Sequence, residues 1–294
     1  MKHFIDLADF SVKKLNTIIK TAKQIKKNPK KFAYKCKDKT LGMIFQKEST
    51  RTRVSFNVGF KKLGGHSIEL NAESIGFGKR ENYQDIVRTL SQYIDILMIR
   101  NDDHNIIRDL SALNFLPIIN GLSDFSHPCQ ILSDFLTINE KLGNIKNQRI
   151  CWVGDYNNVL RSLIELQSLY KFQLNVVIPK EILNKNKTKI LKKNNTNLMA
   201  TNSINEGIKH ANCVMTDAWV SMGEKSIKKK YFKNYQVNSD IMKDASKEAI
   251  FMHCLPAHRD EEVSSELLDS KQSVVWEQVQ NRMFVQQAII LDLL

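Results

Sequence analysis

Short apolar runs alternate with longer amphipathic segments along all 294 residues. That alternation predicts an α/β protein with parallel sheets. In the first half the expected strands are Leu41 to Phe45, Ser67 to Leu70, Ile94 to Ile99 and Leu116 to Ile119, with helical segments between them. In the second half they are Arg149 to Val153, Leu174 to Ile178, Leu198 to Thr201, Cys213 to Thr216 and Ala249 to Met252. Phe56, Phe60 and Leu63 recur at helical spacing, so Thr52 to Leu63 reads as a helix with a core-facing stripe. Gln130 to Leu142 reads as a helix linking the halves, and Gly143 to Gln148 as the turn into the second sheet. The Lys- and Asn-rich stretch Asn184 to Asn197 reads as an exposed helix and its turn, and Val279 to Leu293 is apolar enough to dock on a folded body. The expected organisation is two domains, each a parallel sheet flanked by helices, joined by interdomain helices. They cover residues 1–135 and 136–276, with a C-terminal helix over 277–294 packing back on the first.

Composition removes several classes of function. At 42% hydrophobic residues the chain can build a large core, and its length favours two domains. No apolar run approaches the ~20 residues that span a bilayer, and the N-terminus lacks a signal-peptide core, so a cytoplasmic protein is expected. Five widely spaced cysteines without a Cys-x-x-Cys pair argue against a disulfide framework or a structural zinc. No metal and no cofactor is expected. The balance of 44 basic against 31 acidic residues, a net +13, permits a nucleic-acid reading. Yet the lysines are spread along the chain and mixed with asparagine rather than with stacking aromatics. They read as solvated surface that attracts anionic substrates in a salt-dependent way, with no nucleic-acid or membrane partner.

Chemistry concentrates at strand ends. Ser49-Thr50-Arg51-Thr52-Arg53 packs three hydroxyls and two guanidiniums between Met43-Ile44-Phe45 and Phe56. This run stands at a predicted helix N-terminus, where unpaired N–H groups and the dipole favour an anion, and arginine adds a bidentate match to phosphate. Taken alone it suits equally a plain N-cap with solvated arginines. Arg100 follows another apolar run directly, and His127-Pro128-Cys129-Gln130 follows a strand and loop in the same half. Both fall beyond carboxyl ends of strands, the edge where open α/β sheets bind ligands. In the second half Gly154-Asp155 follows a strand and suits a plain turn. Cys254 follows another, and its default reading is an inert buried thiol.

Taken together, Ser49-Thr50-Arg51-Thr52-Arg53, His127-Pro128-x-Gln130, Asp217-x-Trp219-x-Ser221-Met222-Gly223 and His253-Cys254-Leu255-Pro256 resemble the four signature motifs of the ornithine carbamoyltransferases. The resemblance runs from the first helix to Leu294, and the last two motifs separate these enzymes from aspartate carbamoyltransferases. It implies that Ser49, Thr50, Arg51, Thr52 and Arg100 hold the phosphate of carbamoyl phosphate, with His127 and Gln130 on its carbamoyl group. Cys254 and Leu255 would lie at the reacting centre and Arg282 beside the carbamoyl phosphate. Asn158, Asp217, Ser221 and Met222 would bind L-ornithine, a carboxylate suiting its α-ammonium and amide, hydroxyl and backbone donors its α-carboxylate. Arg51, Arg100, His127, Cys254 and Arg282 are the implied catalytic residues. The first domain would take carbamoyl phosphate, the second ornithine, and the resemblance implies a homotrimer.

Two features depart from the family pattern. Tyr156 stands where a glycine is usual, beside Asn158, and around Ser74 to Glu81 a glutamine that reaches the neighbouring subunit's site is missing, with Lys79 or Arg80 as stand-ins. Acylated ornithine would not need Asp217, and putrescine has no carboxylate for Asn158 and Ser221, so free ornithine is the expected acceptor.

Overall fold

The computed structural model describes residues 2–191, 195–220 and 226–294. The chain divides into two units, residues 1–136 with 280–294, and residues 137–279. In the first, α1 (Val12–Lys27) precedes β1 (Thr40–Phe45), α2 (Thr50–Lys62), β2 (His66–Asn71), α3 (Tyr83–Leu90), β3 (Ile96–Arg100), α4 (His104–Ala112) and β4 (Ile118–Leu122). The chain enters the second unit within α5 (Pro128–Leu142). There β5 (Arg149–Val153), α6 (Asn158–Tyr170), β6 (Gln173–Val177), α7 (Lys180–Ile190), β7 (Leu198–Thr201), α8 (Ile204–Ile208) and β8 (Cys213–Thr216) are followed by α9 (Ser239–Met242), β9 (Ile250–His253) and α10 (Ser265–Leu268). The chain returns to the first unit within α11 (Val275–Leu293).

Both sheets are wholly parallel. The first has the order β2-β1-β3-β4 and the second β7-β6-β5-β8-β9. In each, the chain starts at an inner strand, builds outward on one side, then crosses back to build on the other. The reversal falls between β1 and β3 in the first sheet and between β5 and β8 in the second. Beyond the carboxyl ends of such a strand pair the connections diverge and leave a crevice for ligands.

The inner strands are continuous apolar runs, as strands covered on both faces must be. Leu41, Met43 and Ile44 of β1, and Cys151 to Val153 of β5, are fully buried. β2 is an edge strand, and most of its residues meet solvent.

Two strands differ from their sequence pattern for identifiable reasons. β4 starts two residues later than expected, because Pro117 has no N–H to give to a ladder, and it continues through Asn120 and Gly121. Asn120 fits because its buried amide donates to the Ile5 carbonyl at 3.1 Å, and the N-terminal segment pairs alongside through Phe4. Ile94 precedes β3 instead of opening it. Its side chain covers Gly42, where an added Cβ would come within 2.4 Å of Ile94 Cδ1. The two long helices within which the chain changes unit also begin earlier than periodicity predicted, α5 at Pro128 and α11 at Val275.

Phe60 is a fully buried residue of α2, the helix that carries the Ser-Thr-Arg run at its other end. Phe60→Ala should lower stability by ~3–5 kcal/mol through lost apolar contact and a residual cavity. Urea unfolding would measure it. A cost well under 1 kcal/mol would mean α2 is not anchored by this face.

Candidate active site

At the first reversal point, Ser49 ends the β1 connection and caps α2, its hydroxyl accepting the Thr52 N–H at 3.4 Å. Ser49 Oγ also donates to Thr52 Oγ1 at 3.0 Å. Thr52 is fully buried, and its hydroxyl oxygen receives Arg282 at 2.6 Å and Arg100 at 3.4 Å. Three donors thus converge on an oxygen with two lone pairs, a donor-rich arrangement suited to an anion. Thr50 is exposed at the first helical position, and Arg51 follows it, half-buried. Arg53 points elsewhere, to Glu48 and Glu69 at 2.6 Å each, with its guanidinium over the Phe45 ring.

Pro128 opens α5, where its missing N–H costs nothing. The preceding His127 is buried, and its carbonyl accepts the Gln130 and Ile131 N–H groups at 3.2 Å. Gln130 Oε1 accepts from Arg282 at 3.0 Å while its amide nitrogen donates to Asp134 at 2.8 Å, so a cation and an anion fix which way the amide faces. Burial and then the guanidiniums of Arg282, Arg100 and Arg51 hold the His127 imidazole well below its usual pKa. A neutral imidazole among three guanidiniums can donate a hydrogen bond to a carbonyl oxygen while the cations take a phosphate.

At the second reversal point, Gly154 turns the chain off β5 at φ +148°, a backbone that side chains rarely adopt. Asp155 follows, buried, paired with Lys228 at 2.5 Å. Asn157 caps α6 through the Leu160 N–H and donates its amide to Asp217 Oδ2 at 2.7 Å. Cys254, just past β9, donates its thiol to Asp217 Oδ1 at 3.0 Å. Asp217, from the end of β8, therefore holds one donor on each carboxylate oxygen and keeps further lone pairs for a cation. Asn158, next in sequence to Asn157, opens α6 and is half-buried. Leu255 stands in the left-handed region at φ +60°. Tyr156 packs against the next turn, the Arg161 guanidinium 4.9 Å from its ring centre. Ser221, Met222 and Gly223 lie outside the described residues. In the first unit, Lys79 and Arg80 are exposed on a loop anchored by Phe77 packed edge-on to Tyr83.

Among the described residues, two groups bring potential metal ligands together: Asp217, His253 and Cys254, and His258, Glu261 and Glu262. In the first, both ring nitrogens of His253 already serve other partners, Glu262 and the Leu255 N–H, and the thiol serves Asp217. In the second, Glu261 pairs with Lys229 and Glu262 accepts from two donors. Metal binding would have to break these bonds.

Sequence reading missed Asn157, Asp134, Lys228 and Glu262. The Gln130–Asp134 spacing, one helical turn, was a usable signal for Asp134. Asn157 was legible only as one of two adjacent asparagines. Lys228 and Glu262 reach their partners through the fold, with no local pattern.

His127 carries a stability prediction. Its folded pKa lies below the unfolded value, so the unfolded chain takes a proton that the folded one refuses. Its contribution is complete above pH ~6.5 and is lost as pH falls from there toward the depressed folded pKa. His127→Gln should therefore remove part of the loss of unfolding free energy between pH ~7.5 and ~5.5, at most about 1.4 kcal/mol per pH unit. Urea titrations at a series of pH values test this, and parallel profiles for the two proteins would contradict it.

Residues 2–140 match the aspartate/ornithine carbamoyltransferase carbamoyl-P binding domain, and residues 146–293 the Asp/Orn binding domain of the same family. The chain is 41% identical to an ornithine carbamoyltransferase of Rhodopseudomonas palustris, over 98% of this chain and 95% of that one. Among solved structures it is similar to the ornithine carbamoyltransferase of Pyrococcus furiosus, with a TM-score of 0.92 at 40% identity over 98% and 96% of the two chains. It is similar also to the anabolic ornithine carbamoyltransferase of Campylobacter jejuni, at 0.89 and 33% over 99% of each. Matched over both units and nearly end to end, the chain belongs to the aspartate/ornithine carbamoyltransferase family.

Proposed function

We propose that this chain transfers the carbamoyl group of carbamoyl phosphate to the side-chain amine of L-ornithine, giving L-citrulline and phosphate. The observation that carries this reading is buried His127, kept neutral and faced by Arg51, Arg100 and Arg282. In the proposed assignment Ser49, Thr50, Arg51, Thr52 and Arg100 take the phosphate. His127, Gln130 and Arg282 act on the carbamoyl oxygen, with Cys254 and Leu255 at the reacting centre. Asp217 receives the α-ammonium of ornithine, supported by its two engaged oxygens and remaining acceptor capacity, while Asn158, Ser221 and Met222 take the α-carboxylate. Family-level assignment of one domain to carbamoyl phosphate and the other to aspartate or ornithine supports the same division.

The chemistry follows from these groups. Carbamoyl phosphate is a mixed anhydride whose phosphate already leaves readily, so no cofactor and no covalent enzyme intermediate is needed. The ornithine side amine, with a free pKa of roughly 10, must shed a proton before it attacks. Attack on the carbamoyl carbon makes a tetrahedral oxyanion, and the His127 N–H and the guanidiniums stabilise it and the departing phosphate. Preorganised donors of this kind are usually the largest catalytic contribution, about 3 kcal/mol each.

A homotrimer in the cytoplasm completes the proposal. Val54 and Val58 of α2, and separately Ile68 of edge strand β2, expose apolar side chains in the first unit that a second copy of the chain could cover. No described helix is long and apolar enough to cross a membrane.

Citrulline formation measured with ornithine, N-acetylornithine and putrescine side by side should select ornithine and rise with pH as the amine deprotonates. Preference for N-acetylornithine would overturn the Asp217 assignment, and preference for putrescine that of Asn158 and Ser221. Arg51→Ala should lower kcat by ~10²-fold or more with little change in Tm. Near-normal turnover would remove Arg51 from the site. Cys254→Ala should weaken ornithine binding and lower kcat while leaving residual activity, and full activity would return the thiol to a packing role. Sedimentation should give three times the chain mass of 33.9 kDa; a monomer would exclude the trimer.

A further inference from the structure

Nothing in the proposed reaction uses the buried pair His253 and Glu262, yet the pair sits under the segment that carries Cys254. β9 ends at His253, and the next two residues are Cys254 and Leu255, the latter in the left-handed region at φ +60°. A leucine does not hold that conformation on its own account. Here its N–H donates to His253 Nδ1 at 2.9 Å. The opposite ring nitrogen, Nε2, lies 3.1 Å from Glu262 Oε1, and the same oxygen accepts the His258 N–H at 2.6 Å. His253 and Glu262 are both essentially inaccessible to solvent. The strand end is fixed from behind as well, since the His253 N–H donates to Gln278 at 3.1 Å.

These bonds permit one proton arrangement. Nδ1 must offer a lone pair to the Leu255 N–H, so the ring proton has to be on Nε2, and Nε2–H requires an acceptor, which only the Glu262 carboxylate supplies. A doubly protonated ring would set Nδ1–H against the Leu255 N–H. Burial raises the Glu262 pKa, but hydrogen bonds from His253 and the His258 backbone outweigh it and the net shift is downward. His258 Nδ1, 3.5 Å from Glu262 Oε2, is the other titratable group at hand, with Glu261 close by.

We infer that Glu262 is a positioning residue of the reaction: by fixing His253 as the Nε2–H tautomer it pins the Leu255 N–H, and so aims the Cys254 thiol and the Leu255 carbonyl. The inference rests on the proposed place of Cys254 and Leu255 at the reacting centre. It goes beyond a fold staple, because a staple needs a buried contact but no particular tautomer.

Four substitutions separate the two roles. Glu262→Gln keeps a carbonyl oxygen for both donors that now end on Oε1, and should retain kcat within ~3-fold. Glu262→Leu removes the acceptor and should lower kcat by ~10–100-fold, with KM for carbamoyl phosphate nearly unchanged. His253→Asn leaves an oxygen where Nδ1 stood and can still receive the Leu255 N–H, whereas His253→Gln cannot, so Asn should retain more activity than Gln. Two readouts need no turnover. Imidazole ¹⁵N resonances of the full-length protein should show His253 as Nε2–H, kept in Glu262→Gln and lost in Glu262→Leu. Alkylation of Cys254, the one cysteine that is not buried, should change rate in Glu262→Leu and not in Glu262→Gln. An unchanged tautomer in Glu262→Leu would overturn the inference, as would an unchanged alkylation rate. So would a kcat loss shared by all four variants in proportion to their loss of Tm. Should Glu262→Leu fail to fold, the Asn and Gln variants of His253 decide: equal activity rejects the relay. Wild-type protein that turned over no ornithine would sink the proposed function instead, and the two turnover-free readouts would still judge the relay.

Discussion

Guanidiniums that share a desolvated pocket repel one another, and the first unit has to hold Arg51, Arg100 and Arg282 around His127 before any anion arrives. Much of its local structure meets that requirement. Thr52, an exposed type of residue in most first helical turns, is fully buried here so that its hydroxyl can receive Arg282 and Arg100. Gln130 gives its oxygen to Arg282 and passes its amide protons to Asp134, which puts a negative charge within one residue's reach of the cluster. Burial first, and the neighbouring guanidiniums second, keep His127 from carrying charge as well. A phosphate group would relieve the repulsion at once, and this is how a site binds a doubly charged ligand strongly without binding water equally well.

Parallel sheets explain why the same device appears twice. In each unit the candidate site side chains leave from strands on either side of the reversal in chain order: Ser49 to Thr52 after β1 and Arg100 at the end of β3, Asn157 and Asn158 after β5 and Asp217 after β8. Backbone pairing thus sets the spacing of these groups to a few ångströms before any side chain is chosen. Evolution of the sites then needs changes only in loops and helix starts, while continuous apolar strands beneath them stay fixed.

How much of this was legible depends on whether the information is local. Among the described residues the inner strands announce themselves as apolar runs, and misplacements came at Pro117 and where tertiary contacts overrode local pattern. At β4 the buried amide of Asn120 let a strand pass through residues that favour turns, and at β3 Ile94 was taken by Gly42. Ser49 to Arg53 was readable because capping, hydroxyl content and arginine chemistry coincide within five residues. Arg53 already stood outside the implied phosphate set, and the fold supplies its partners, Glu48 and Glu69. Asp217 was found through its motif, but the two groups that orient its carboxylate come from Asn157, 60 residues away in sequence, and Cys254, 37 residues away. Hydrogen bonds of that separation have no periodicity to reveal them.

The two proposed half-sites also sort their substrates by sign. One gathers guanidiniums and helix N–H groups and can accept only an anion. The other centres on a carboxylate whose oxygens are each committed to one donor, Asn157 or Cys254, so that its remaining lone pairs face an ammonium in a fixed direction. Carbamoyl phosphate in the second would meet like charge, and the two amines of ornithine would meet like charge in the first. The net +13 of the chain adds a long-range pull on the dianion that salt would weaken, whereas the short-range sorting by Asp217 and by the arginines is partly shielded from screening by burial. Mispairing is thereby opposed by electrostatics before the shape of either substrate is tested.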